Sequence, residues 1–306
     1  MSEKITSKME LDRPDRVRFS EVHEKAKKIL PHQGGQRIDP SEFKDLYGEQ
    51  VVYQDEQYVW ETKEVFRRKE GTSSRKKEAK DVSDAFETLI SDQVDLSNWF
   101  GENASVIRAS EYDDYKNKVD AIIEFILEGS TSHLALGIDI TYSRESLSGK
   151  IHTIRKMIEE GILAQVKYFI SDIGGFRGEL KNIPIVVVGA DMEILDELFD
   201  TWIRFQRLRK QKNKEGQESV TKKIRELNLQ LQNHKVQVQL LRQIKMQLEK
   251  FHDFAQKSNQ TKIADKLRAN LSIINSILET KPPEIMESRS NFEEALEQEL
   301  DNIFGL

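Results

Sequence analysis

The chain has 306 residues, enough for one large domain or two smaller ones, with 33% charged and 37% hydrophobic residues and a formal net charge of −6. That charge gives no global sign of a polyanionic partner, so any nucleic-acid surface would have to be local. The absence of cysteine excludes disulfides, thiolate metal sites and cysteine nucleophiles, and 15 Gly with 6 Pro favour long exposed helices over wholesale disorder. The first thirty residues carry no apolar signal core, and no window approaches eighteen uncharged apolar residues. The expectation is a soluble, cytoplasmic protein without a membrane span.

Residues 1–80 form a polar N-terminal region without a sustained period. Within it, 50–60 (QVVYQDEQYVW) reads as a short β-like piece. The basic run after it, from Lys63 to Lys80, reads as a solvated loop, with contact to a phosphate backbone as the alternative. From Asp81 the pattern changes. Val82, Phe86, Leu89 and Ile90 recur at helical spacing and predict a helix ending near Gly101. A short strand over 105–108, a polar stretch over 110–118 and two strands over 119–125 and 134–141 follow. A helix over 147–160 is then predicted, with Gly161 where a C-terminal cap glycine belongs. Strands over 166–170 and 183–189 and a helix over 192–209 complete an α/β core spanning 81–210.

Residues 211–282 predict a helical hairpin or coiled coil. Ile224, Leu227, Leu231, Val238, Leu241 and Leu248 fit the a and d positions of one heptad register, interrupted by His234 and Lys245. A second amphipathic stripe (Ile263, Leu267, Leu271, Ile274, Leu278) stops at Pro282-Pro283. An antiparallel hairpin of the two is preferred over an extended dimer, although self-association or a protein partner through 217–280 stays open. An acidic helical tail covers 283–306.

The strand pair at 119–141 carries the chemistry. Folding it symmetrically about Gly129 and Ser130 pairs Val119 with Ile140, Ala121 with Ile138, Ile123 with Leu136 and Phe125 with Leu134, all apolar. The other face then sets Asp120 opposite Asp139, Ile122 opposite Gly137 and Glu124 opposite Ala135. Directly opposed carboxylates repel. A hard cation between them, a shared proton or screening water would each relieve the repulsion.

The order of helix, short strand, strand opening on Asp, strand closing on an acid, helix and strand resembles the PD-(D/E)XK, or restriction-endonuclease-like, nuclease superfamily. The rhythm is nearest to its RecB-type and Holliday-junction-resolvase branches. The stretches that carry the likeness are DAFETL at 84–89, KVDAII at 118–123 and LGIDIT at 136–141, within a matched region of about 81–190. The resemblance implies a central mixed sheet flanked by helices. It also implies Mg2+ or Mn2+ held by Asp120 and Asp139, assistance from Glu87, and hydrolysis of phosphodiester bonds in DNA or RNA. Where the family places a lysine two residues after the second acid, this chain has Thr141, which cannot supply the positive charge that steadies the transition state. Lys150 and Lys156 on the following helix are the candidates for a relocated lysine, each also readable as a surface residue. A nuclease fold kept for interaction rather than catalysis is therefore the alternative. Asp113 and Asp114 are read as extra ligands or turn caps, and 174–178 (GGFRG) as a flexible loop. The six His include no HxH or HxxxH pair, so no zinc site is expected.

Overall fold

The computed structural model describes residues 13–31, 37–70, 74–127, 130–138, 144–171, 175–215, 218–286 and 289–305. Helix α1 (Arg13–Ile29) buries Val22, Ala26 and Ile29, spaced as one helical stripe, against α4 (Ser74–Ser97) and α7 (Met192–Glu215). The polar N-terminal region is thus tied to the core. A 3-10 turn (Pro40–Phe43), α2 (Lys44–Tyr47) and α3 (Glu49–Glu70) follow. The expected β-like piece at 50–60 is helical. Its alternation of Val, Tyr and Trp imitates a strand, but the buried residues are Val52 and Val59, seven apart on one helix face, while Tyr53 and Trp60 are exposed. The basic residues of the run are helical too, on α3 and α4. On it Lys63 pairs with Glu111 at 2.6 Å and Arg67 with Glu64 at 2.7 Å.

The central sheet comprises β1 (Ala104–Arg108), β2 (Ala121–Leu127), β3 (Ser130–Ile138) and β6 (Ile185–Val188), side by side in that order. The first three run antiparallel and β6 runs parallel to β3. Between β3 and β6 the chain forms α6 (Arg144–Glu159) and a separate two-stranded sheet, β4 (Ala164–Ile170) with β5 (Arg177–Ile183). The protein is therefore α/β, with a mixed four-stranded sheet, a second small sheet and flanking helices. The polar stretch before β2 is not irregular but a short helix, α5 (Glu111–Asn117), capped by Ser110. The single strand expected at 183–189 is divided by Pro184 into the end of β5 and β6. Gly161 meets expectation: at φ +73° it ends α6, with its N–H on Ile158 O at 3.1 Å and that of Ile162 on Met157 O at 3.0 Å.

The β2–β3 register differs from the expected one by two residues. Ala121 pairs with Leu136, Ile123 with Leu134 and Glu124 with His133, and the pairing runs out to Leu127 with Ser130. A two-residue shift preserves the alternation of faces, so the apolar face remains apolar. It changes every partner, however. Continued by one residue, the register sets Gly137, not Asp139, across from Asp120. The second face is also buried: Ile122 and Ala135 are fully covered and Glu124 is 1% exposed.

The heptad segment is two helices rather than one. Helix α8 (Glu218–Gln232) ends at Asn233 and His234, and α9 (Val236–Lys257) starts a new axis before pairing with α10 (Thr261–Glu279) as the expected hairpin. Val238, Leu241 and Leu248 are fully buried, but within this chain, so they do not form a coiled-coil seam. Helix α9 also covers the free edge of β6. The side chain of Gln247 accepts from Val187 N at 2.8 Å and donates to Val187 O at 2.7 Å. Gln243 does the same at Gly189, at 2.8 and 2.9 Å. Four helical residues rise about 6 Å and two strand residues about 6.6 Å, so amides at i and i+4 match backbone groups at i and i+2. Helix α11 (Asn291–Phe304), started by a Ser290–Glu293 capping box, packs on α6 and α9.

Candidate functional site: a buried ion cluster beside Asp120

Glu87 lies on the stretch of α4 where the helix is enclosed on nearly every side, from Ala85 to Ser91. Its neighbour across the interface is β1, which ends in Arg108 after the buried Val106 and Ile107. Arg108 pairs in register with Ala121, and its Nη2 donates to Glu87 Oε2 at 2.8 Å. A second guanidinium arrives from far upstream. The N–H of Ile38 bonds to Arg108 O at 3.3 Å and holds its segment against the end of β1. From there Arg37 Nη2 donates to both Glu87 oxygens, at 2.7 and 3.2 Å, and Nη1 donates to Asp114 Oδ2 at 3.2 Å. Two guanidiniums thus meet two carboxylates, and Glu87 is 4% exposed.

Burial pushes the Glu87 carboxyl above the ordinary range, with Arg37 and Arg108 pulling it back. For Arg37, burial works against the charge, but Glu87, Asp114, Asp84 and Asp120 together outweigh it and raise its pKa. Such a cluster is expensive to assemble. It contributes little net stability over an apolar substitute, while loss of one partner costs about 3–5 kcal/mol.

Asp120 enters this neighbourhood through the backbone. Its N–H donates to Leu136 O at 2.9 Å, and its carbonyl accepts from Ala109 N at 3.0 Å, so it is stitched into the ladder one residue before Ala121. Two residues earlier, Lys118 at φ +60° makes the left-handed turn that carries the chain from α5 into β2. Asp120 is only half-buried. Of the other expected site residues, Asp139 and Thr141 lie outside the described residues. Lys150 is half-buried on α6. Lys156, 74% exposed and 3.6 Å from Glu160, is a surface lysine.

Asp113 and Glu124 are polar anchors. Asp113 is fully buried and accepts from Ser110 Oγ, Asn117 Nδ2 and the backbone N–H groups of Lys167 and Tyr168, at 2.7–3.1 Å. It fastens α5 to β4, and burial pushes its carboxyl up against those four bonds. Glu124 accepts from Ser171 Oγ at 2.8 and 2.9 Å and contacts His133 Nε2 at 3.2 Å, tying the small sheet to the central one.

Arg37 and Arg108 carry the electrostatics of the site, and sequence reasoning passed over both. Arg108 left a signal, a charge closing an otherwise apolar strand. Arg37, fifty residues from Glu87 in a polar segment, left none.

Among the described residues, no group of three or more His, Asp or Glu is arranged to hold a metal ion. Glu87 does not fit as a ligand, since both its oxygens are occupied by guanidinium donors. Asp113 is likewise filled by its four donors and Asp114 is paired with Arg37, so Asp120 is the described acid that the resemblance still offers as a ligand. Among the described residues no helix is long and apolar enough to cross a membrane. Compared with family models, curated proteins and solved structures, the chain matches none.

Proposed function

We propose that this chain is a metal-dependent nuclease of the restriction-endonuclease-like kind, hydrolysing phosphodiester bonds in DNA or RNA, with Asp120 and Asp139 as the metal ligands. One observation supports this reading above the others. The helix, three strands and helix on which the resemblance rests have counterparts in α4, β1, β2, β3 and α6, with β1, β2 and β3 side by side in chain order and Asp120 just before β2. The next strand in the chain, β4, belongs to the separate small sheet, and β6 takes the fourth place in the central one. Mg2+ or Mn2+ bound by the two acids would activate water and neutralise charge on the phosphate. In this scheme Lys150 is the cation that stands in for the missing motif lysine. The Arg37–Glu87–Arg108 cluster acts as a positioning element that fixes the end of β1 beside Asp120.

A second reading is favoured by the saturation of Glu87: a nuclease fold without catalysis, retained for assembly. It must use exposed side chains of the C-terminal helices, because their apolar stripes are already covered within the chain. Incubation with plasmid, single-stranded DNA and RNA in Mg2+ or Mn2+ separates the two. The nuclease reading expects cleavage that is lost in Asp120→Asn and Asp139→Ala and kept in Lys156→Ala. Cleavage that survives Asp139→Ala contradicts the assignment, and no cleavage of any substrate favours the second reading.

A further inference from the structure

Remote from the ion cluster, a cavity of about 840 Å3 opens between the end of β2, the end of α4 and helices α8 to α10. Its walls are apolar in part, from Phe100, Phe125, Leu127, Ile273 and Ile277, with Ser276, Thr280 and Gln237 among the polar groups. Among the described residues, two charged ones line it, Lys281 and the exposed Glu102. Lys281 follows α10, and its Nζ donates to Asn98 O at 3.1 Å and Gln237 Oε1 at 2.8 Å. Both acceptors are neutral, and no described carboxylate pairs with this ammonium. An ammonium has three N–H donors, so one remains for an occupant of the cavity. Burial alone lowers the Lys281 pKa to about 8, which leaves it mainly protonated at neutral pH. The volume falls within the roughly 300–1,000 Å3 of small-molecule sites, and an apolar wall with one convergent polar anchor is their usual chemistry.

We propose that this cavity binds a small amphiphilic anion, an apolar ring or chain bearing one carboxylate, sulfonate or phosphate, whose charge meets Lys281. The inference is independent of the nuclease reading. It accounts for a half-buried lysine whose two acceptors, the carbonyl after α4 and the Gln237 amide, are both neutral.

The probe is 8-anilinonaphthalene-1-sulfonate, titrated into the full chain at pH 7 and followed by fluorescence. Saturable binding at one site is expected. Lys281→Met should weaken it about tenfold, the worth of one charge-assisted hydrogen bond. Ser276→Trp, at an exposed wall position, should block it by filling the mouth. Affinity in the wild type should fall as pH rises through 8, while Lys281→Met stays flat. Equal affinity in folded Lys281→Met, equal affinity for neutral N-phenyl-1-naphthylamine, or no saturable binding by the folded wild type would each overturn the proposal. If Lys281→Met melts early, limited acetylation of the wild type decides instead. Protection of Lys281 by the probe is expected, and unchanged labelling contradicts the site.

Discussion

The two flanks of the central sheet bury polar groups in opposite ways. At the β6 edge, Gln243 and Gln247 present neutral amides to backbone N–H and C=O groups that would otherwise be orphaned. An exposed strand edge must be covered in any fold, so these glutamines answer a structural need. At the β1 flank, Arg37, Arg108, Glu87 and Asp114 bring four charges together that chiefly answer one another, with Arg37 Nη1 also donating to Ala109 O at 3.4 Å. Desolvating charges costs several kcal/mol per ion. Function is best sought at the side where charges answer one another rather than a strand edge, which is also the side where Asp120 leads into β2.

The sharpest way to break this comparison is Glu87→Ala. It strands two guanidiniums in a buried site, and the expected loss is about 3–5 kcal/mol, read from urea denaturation. Unchanged stability together with lost cleavage would make Glu87 a catalytic acid and reverse its assignment as a positioning residue.

A second test concerns the helical side, where polar burial is expected to stay neutral. His234 at the α8–α9 junction is 5% exposed; its Nδ1 accepts from Val236 N at 3.3 Å, while Nε2 has no partner among the described residues. Burial lowers its pKa from 6.5 to about 4. Between those values the unfolded chain binds the extra proton, so stability is whole above pH 6.5 and falls as pH drops toward 4, by roughly 3 kcal/mol. His234→Gln should flatten that segment of a stability-against-pH curve. A wild-type curve already flat there would mean that the imidazole is charged in the folded protein.

A more local effect falls on the β6 edge. Gln247→Leu orphans Val187 N and O, at about 1–3 kcal/mol for each group, and exchange of the Val187 amide should accelerate. Unchanged stability together with unchanged Val187 exchange would mean that the edge needs no such cover and would erase the distinction between the flanks.

Much of the architecture was legible from the sequence because period and burial agree there. Val82, Phe86, Leu89 and Ile90 gave α4, Gly161 gave the end of α6, and the α9–α10 hairpin followed from its apolar stripes. The misreadings have physical causes. At 50–60, alternating β-branched and aromatic residues resemble a strand, and only the seven-residue spacing of Val52 and Val59 reveals the helix. The expected β2–β3 register is off by two because apolar pairing fixes the face but not the partner when Ala121, Ile123 and Phe125 on one strand and Leu134, Leu136 and Ile138 on the other are all apolar. The break at Asn233 and His234 was read as an imperfect heptad, since a buried His occupies a seam position either way. The candidate site was legible in Asp120 and Glu87 and illegible in Arg37, whose contact with Glu87 exists only in three dimensions.

The most direct test of the metal-dependent reading is calorimetric titration of Mn2+ into the wild type and into Asp120→Asn and Asp139→Asn variants. The account predicts saturable binding in the wild type that both variants abolish while Glu87→Gln retains it. Wild-type protein that binds no Mn2+, or binding that persists in Asp120→Asn, would contradict it.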